Sequence, residues 1–468
     1  MTPTRRSGTH RQHTGGRSRP TAPRTAPDPV TATPSRGEGE VLTLTVGAPA
    51  HGGHCVARPV DDPTGRVVFV RHALPGETVR ARLTARNAKI WRAEAVEVLT
   101  ASPDRVRQVW PEAGPGGVGG GELGHVALPA QRTWKRWVLT DCLRRIGGEA
   151  VADAVAALGP LSVEAMPSEA QAQADGARRP GVGTRTRVEL TVTPDGAAGM
   201  HAFRSSTVLA VQALPLAVPA IRELALTEAT RWRRHYRPGM HVAAVAPSVG
   251  EPVVLLDGAV HTAAGRPTGR QRVEEVVDAS GLGLGDLHYS VHADGFWQVH
   301  RDAPTVLVDR VVRDALDGLD TDPRPRVLEL YAGAGLFTLP LAHLAGQVSA
   351  LEGSAQAVRD SRRNLHHHAN ARLVAGRVTP ATVAELGEGC DVVVLDPPRS
   401  GARRQVVQAV VGLAPRRVVL VACDPAALAR DLGIFLTGGY APTSVRSLDM
   451  FPHTHHMETV AVLEPAGA

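Results

Sequence analysis

Between Val41 and Val98, apolar and polar residues alternate in short runs: Val41 to Val46, Arg66 to Val70, Glu77 to Leu83 and Trp91 to Val98. A period of two predicts strands with one buried face. Turn signals separate the runs, at His51-Gly-Gly-His54, Asp61-Asp-Pro-Thr-Gly65 and Leu74-Pro-Gly76. Four or five short strands so closely spaced predict a small closed barrel of the OB type, a shape that often holds nucleic acid. Residues 101–131 are dense in glycine and loop-like. The period then becomes helical from Arg132 to Ile146, with Trp134, Val138, Cys142 and Ile146 on one stripe and Gly147-Gly148 closing the helix. Cys142 on that stripe reads as packing. Residues 149–290 mix short helices and strands, with disorder expected over 168–184.

The last third alternates cleanly. Strands are predicted at Arg326 to Leu330, Gln347 to Leu351, Asp391 to Leu395 and Arg417 to Val421. Each is followed by a helix, at Phe337 to Leu344, Ala355 to His367, Arg403 to Leu413 and Ala426 to Leu436. That order predicts a doubly wound α/β sheet. The organisation expected is a disordered basic tail over 1–40, a barrel over 41–100, a central α+β segment over 101–295 and a Rossmann-like domain over 296–468.

Composition narrows the function. The chain has 468 residues and a formal net charge of +6, a balance that favours an acidic partner such as nucleic acid. Lysine occurs only at Lys89 and Lys135, so an arginine-rich coding bias accounts for part of that charge. The first 24 residues carry six arginines and no acid, and they lack the apolar stretch of a secretory signal. This tail either touches phosphates or is a solvated extension. The four cysteines, Cys55, Cys142, Cys390 and Cys423, form no C-x-x-C, which fits a reducing cytoplasm and disfavours disulfides or zinc. No apolar run reaches membrane-spanning length. Arg231-Trp232-Arg233-Arg234, continuing to Arg237, interleaves cations and aromatics and suits RNA phosphates and bases. The alternative is a solvated helix face with Trp232 tucked in.

Candidate chemistry clusters at the strand ends of the last third. Leu328-Glu-Leu-Tyr-Ala-Gly-Ala-Gly-Leu-Phe337 places Gly333 and Gly335 in a turn between strand and helix, where a backbone can approach a ligand closely. Thr338 stands where a dinucleotide fingerprint wants a third small residue. Glu352 ends the next strand, where an acid can bond ribose hydroxyls. Glycine turn and Glu352 together serve a dinucleotide or S-adenosylmethionine. The strand from Asp391 ends in Asp396-Pro-Pro, a stiff turn aimed into the cleft and typical of nucleic-acid methyltransferases. Cys423 ends the following strand, just before a helix N-terminus that is expected to lower its pKa. A thiolate there can add to C6 of uracil and make C5 nucleophilic towards a sulfonium methyl. The C5 proton then needs a base. Glu458 is the candidate, with His453, His455 and His456 as rivals. Metal binding by these histidines is not expected, for lack of helical spacing or cysteine partners.

Collinear motifs from about 41 to 464 resemble the bacterial tRNA and ribosomal RNA uracil-5-methyltransferase family. Val41 to Leu99 is similar to its N-terminal TRAM domain, an OB-like RNA-binding barrel, including Gly52-Gly53 and Leu74-Pro-Gly-Glu77. Phe296-Trp-Gln-Val-His300 resembles F-F-Q-V-N, whose Gln contacts the methyl donor. Cys423-Asp-Pro-Ala-Ala-Leu-Ala-Arg-Asp431 resembles C-N-P-x-T-L-x-R-D. The segment 451–458 resembles F-P-x-T-x-H-x-E. The resemblance implies a class I methyltransferase domain binding S-adenosylmethionine through Gln298, Tyr331, Gly333, Gly335, Leu336, Glu352 and Asp396. It also implies Cys423 as nucleophile, Glu458 as general base, rRNA or tRNA as partner, and a monomer.

Several residues depart from the family. Ribosomal members carry four cysteines for an iron–sulfur cluster, and the matching positions here are Trp110, Val118, Gly121 and Ala213. No cluster is expected. Asp424 replaces the usual Asn and Ala422 the usual Ser, and an Asp beside Cys423 disfavours its thiolate. The competing readings are a base-nitrogen RNA methyltransferase, which would need no Cys423, and a non-catalytic RNA-binding or remodelling protein on the same scaffold.

Overall fold

The computed structural model describes residues 39–87, 90–177, 180–319 and 323–467. The basic tail expected over 1–40 lies outside the described residues, except for its last two.

Five strands, Val41–Ala50, His54–Pro59, Val68–Arg71, Thr78–Arg86 and Trp91–Thr100, close into a barrel. Period-two alternation sends Leu44, Val46, Val79, Ala81 and Leu83 to its interior. The buried carboxylate of Glu77 accepts from the amides of Leu74 (2.8 Å) and Ser102 (3.1 Å) and from the Arg105 guanidinium (2.6 Å). One side chain thus closes the Leu74-Pro-Gly turn and fastens the barrel to the loop that follows it.

The central segment holds a six-stranded antiparallel sheet in which Arg187–Val192 and His241–Val245 are the middle pair. A hairpin of Arg272–Asp278 and Asp286–His292 follows. The last third builds the expected doubly wound sheet. Its five parallel strands run in the order Ala371–Ala375, Gln347–Glu352, Arg326–Leu330, Val392–Leu395, Arg417–Ala422. Val392–Leu395 is buried throughout, which explains its unbroken run of apolar residues. Glu458–Pro465 and Tyr440–Leu448 extend the sheet antiparallel. Val163–Glu164, from the central segment, forms its eighth strand beside Tyr440–Leu448.

Two local expectations change. The first long helix spans Leu128–Cys142, because Pro129 opens it earlier, and it passes into a π turn at Leu143–Gly147 that leaves Ile146 exposed. Within the stretch expected to be disordered, Pro167–Ala174 is a helix. It is pinned by buried Glu169, which pairs with Arg132, and by Ser168, whose amide and hydroxyl donate to Asp302 at 2.8 and 2.6 Å. These partners are remote in sequence, so local composition could not reveal them. One apolar cluster runs from the barrel through Leu123, Trp134 and Val138 to the doubly wound sheet. Among the described residues no helix is long and apolar enough to cross a membrane.

Candidate active site

The parallel strands end at a common edge, and a cavity of about 1180 Å³ opens there. In doubly wound sheets ligands sit at that edge, outside the carboxyl ends of the strands. The cavity is lined by six of the seven expected donor-site residues, Gln298, Tyr331, Gly333, Leu336, Glu352 and Asp396, together with Cys423 and Glu458. Gly335 lies behind the lining. A Cβ there would fall 2.8 Å from the Ser361 hydroxyl, and its φ is +90°. Its part is to let the turn pack on the helix Ala355–Asn364.

The donor loop is held from below. Tyr331, at φ +65°, donates its amide to Leu351 O at 2.9 Å. Glu352 accepts from the amides of Gly333 (2.9 Å) and Ser354 (2.6 Å), so its carboxylate ties the glycine turn to the next strand. Space is open around Gly333 where a side chain would stand. That bare backbone and the acid beneath it fit the ribose and methionine parts of a nucleoside donor. Gln298 reaches the cavity on a segment clamped by the central sheet. Thr186 donates its amide to Val299 O at 2.8 Å, and Arg187 donates to the carbonyls of Ala293 (3.2 Å) and Gly295 (2.8 Å).

In the same cavity, acidic groups crowd one thiol. Burial, then the charge of Glu352, raises the Asp396 carboxyl to about 7. Burial and the nearby Asp396 push Glu458 well above the ordinary carboxylate range, and its Oε1 has no hydrogen-bond partner among the described residues. The two carboxyls therefore resist carrying charge together. Burial, then Glu458 and Asp396, raises Cys423 to about 12, with Arg399 pulling weakly the other way. This corrects the expected lowering by the helix N-terminus, because desolvation and converging carboxylates outweigh the helix dipole.

The rival bases separate. His453 is buried outside the cavity, within 3.2 Å of both the Gln131 amide and Pro180 O. His455 is paired with buried Glu122. His456 lines the cavity, and burial holds it down to about 3, in the neutral form. Glu122, His455 and His456 bring ligand-type atoms within 4.8 Å of one another, a grouping that sequence spacing did not suggest. Glu122 and His455 already satisfy each other as a hydrogen-bonded pair.

Trp232 is a correction. It is fully buried, and its indole N–H donates to Leu224 O at 2.6 Å, so it is core and offers no stacking face. Arg231 also donates to Leu224 O, at 2.7 Å, while Arg233 and Arg234 remain exposed. At the positions matched to cluster cysteines, Trp110 and Val118 are buried in an apolar cluster and Gly121 lies against the Trp110 ring. Glu112 accepts from the amides of Gln212 (2.6 Å) and Ala213 (3.3 Å). These residues do not fit an iron–sulfur cluster, having no thiolate to offer. Sequence reasoning also missed Glu329, a fully buried acid beneath the donor loop, raised to about 8 by burial. Its place inside an apolar strand was the available signal.

Comparison with known proteins agrees with this geometry. The family described as tRNA (Uracil-5-)-methyltransferase matches residues 270–466, and the TRAM domain matches 36–96. The chain is 37% identical to an "Uncharacterized RNA methyltransferase" of Streptomyces avermitilis, over 92% of this chain and 99% of that protein. It is 31% identical to the 23S rRNA (uracil(1939)-C(5))-methyltransferase of Klebsiella pneumoniae, over 91% of this chain and 96% of that protein. Among solved structures, the Pyrococcus abyssi tRNA (uracil-54, C5)-methyltransferase with S-adenosyl-L-homocysteine superposes with a TM-score of 0.62. It is 20% identical and covers 90% of this chain and all of that one, a likeness of fold.

Proposed function

This chain belongs to the tRNA (uracil-5-)-methyltransferase family, and on that premise we propose that it methylates C5 of a uridine in ribosomal or transfer RNA. S-adenosylmethionine supplies an electrophilic methyl group on a sulfonium centre. One observation carries the reading: Cys423, Glu458 and Asp396 face one cavity with the donor loop. A base-nitrogen methyltransferase would leave Cys423 idle, and a non-catalytic scaffold would leave the whole constellation without use.

The chain's own groups divide the work as follows. Gln298, Tyr331, Gly333, Leu336, Glu352 and Asp396 hold the donor. The target uridine leaves its stack to enter the cavity. Cys423 Sγ gives its proton to water and the thiolate bonds to C6, which shifts the electron pair to C5 and its conjugated carbonyl. C5 takes the methyl group as the sulfonium S–CH3 bond breaks, leaving a neutral thioether. Glu458 then removes the C5 proton, and the electron pair left behind breaks the Sγ–C6 bond. Burial holds Glu458 above the ordinary carboxylate range, so once it has released its own proton to water it is the stronger base for that step. The thiol at about 12 is a poor nucleophile in the free protein, so attack awaits a charge change in the loaded site. Exposed Arg233 and Arg234 and the barrel contribute phosphate contacts. The protein works as a monomer in the cytoplasm.

Two substitutions test the mechanism because they fail differently. Cys423→Ala should form no adduct and transfer no methyl, while still binding donor and RNA. Glu458→Gln should transfer the methyl and then stall, trapping an enzyme–RNA adduct that survives denaturing electrophoresis. Normal turnover by Cys423→Ala would overturn the uridine C5 reading.

A further inference from the structure

The barrel reaches the neighbourhood of the proposed nucleophile through one side chain. His51 Nε2 lies 2.9 Å from Asp424 Oδ2, across 373 positions of sequence. Asp424 directly follows Cys423. Its other oxygen, Oδ1, accepts from the amides of Ala426 (3.0 Å) and Ala427 (2.8 Å) and so caps the helix Pro425–Thr437. A neutral Asn oxygen caps a helix equally well. The second oxygen of Asp424 takes no amide of the cap, and it is the one that meets His51.

The turn carrying His51 is shaped for this contact. Gly52 and Gly53 both have positive φ, +88° and +76°. A Cβ on Gly53 would stand 3.2 Å from the Glu122 side chain and 3.3 Å from His455 Nδ1. The absence of a side chain thus lets the turn sit against the hydrogen-bonded Glu122 and His455. The ring of His455 meets that of His51 edge-on at 6.5 Å.

We propose that His51 is a positioning residue for Cys423: its Nε2 contact with Asp424 ties the barrel to the turn that carries the thiol and draws the charge of that carboxylate away from it. Among the groups that bear on Cys423, Glu458, Asp396 and Asp424 hold its thiol up and Arg399 draws it down. A charged carboxylate opposes ionisation of the thiol, so a partner that takes up the charge of Asp424 changes the balance. Burial pushes the Asp424 carboxyl up, but the His51 contact and the Ala427 amide outweigh it and hold the group below its ordinary range. The charge that His51 meets is therefore present at neutral pH. His51 itself faces Asp424 and, through His455, the Glu122 carboxylate. The inference rests on the reading of Cys423 as nucleophile, and it explains how an Asp is tolerated beside it.

The test reads the thiol directly and needs no RNA. The alkylation rate of Cys423 by iodoacetamide is followed across pH, by mass spectrometry of its peptide, in the full-length protein. His51→Ala should slow alkylation below the thiol pKa by about two- to fivefold, the scale of a partly exposed polar pair. Asp424→Asn should make the same substitution silent, and His51→Arg should keep the wild-type rate. Equal rates for wild type and His51→Ala overturn the proposal. So does an equal slowing by His51→Ala in the Asp424→Asn background, which marks a merely structural contact. A rate coupled in this way, with methyl transfer insensitive to Cys423→Ala, would keep the electrostatic link and remove the uridine C5 reading instead.

Discussion

Replacing Glu352 by Ala removes the carboxylate that holds the donor loop. Two amide hydrogen bonds go with it, from Gly333 at 2.9 Å and Ser354 at 2.6 Å. Hydrogen bonds to a charged group contribute about 1.5–3 kcal/mol each, but water recovers part of that at a half-buried position. The bonds expected from ribose hydroxyls disappear as well. The net loss of donor affinity should be about 1–3 kcal/mol, a rise in Kd of about 5- to 150-fold. Glu352→Gln should lose less, since its amide oxygen still accepts one bond while its NH2 cannot accept another. Isothermal calorimetry with S-adenosylmethionine measures both variants, with thermal midpoints confirming that each is folded. An unchanged Kd in a folded Glu352→Ala protein would remove Glu352 from the donor site.

Three further outcomes follow from particular residues. Substituting exposed Arg233 and Arg234 by Gln should weaken RNA binding and flatten its dependence on log salt by about 0.7–0.9 for each phosphate no longer neutralised, measured by filter binding; an unchanged slope would place RNA elsewhere. Trp232→Ala should cost about 3–5 kcal/mol of stability in urea, as a buried aromatic does, and leave the RNA affinity of the folded protein unchanged. Burial holds His54, His125 and His456 down to about 3 and His300 and His453 to about 4, so the unfolded chain takes up their protons first. Their contribution to stability is complete above the ordinary value of 6.5 and erodes as pH falls from there towards 3–4. Urea midpoints should therefore be lower at about pH 5 than at about pH 7.5, and equal midpoints would contradict the buried neutral state.

The parts of the site that could be read from sequence share one property: each sits at the end of a strand whose pattern announces it. The glycine turn after Leu330, Glu352, Asp396 and Cys423 all leave the parallel sheet at the same edge, so ordering the strands was enough to gather them. Contacts between distant segments were not legible. The pairing of His51 with Asp424 and of Glu122 with His455 joins residues more than 300 positions apart. The fate of Trp232 depended on the Leu224 carbonyl beside it, which the cation–aromatic pattern cannot reveal. The electrostatics of Cys423 were misjudged for a related reason. The helix N-terminus is local, whereas Glu458 and Asp396 arrive from two other strands. Likewise the helix at Pro167–Ala174 depends on Arg132 and Asp302, outside any local window.

The order of strands in the catalytic sheet bears on how the protein is made. Glu458–Pro465 lies inside the sheet, between Arg417–Ala422 and Tyr440–Leu448, although it is the last strand in the chain. Val163–Glu164 can pair with Tyr440–Leu448 only when the latter emerges, so a strand translated early waits for almost the whole sequence. Such pairings are slow to form because a long loop must close first. A chain interrupted before its final strand would still possess the donor loop, Asp396 and Cys423, but not Glu458. On the proposed mechanism it could bond to a uridine and have no group to complete the release. The chain's layout defers that risk, because the sheet edge that shapes the cavity stays unfinished until the strand bearing Glu458 has been synthesised.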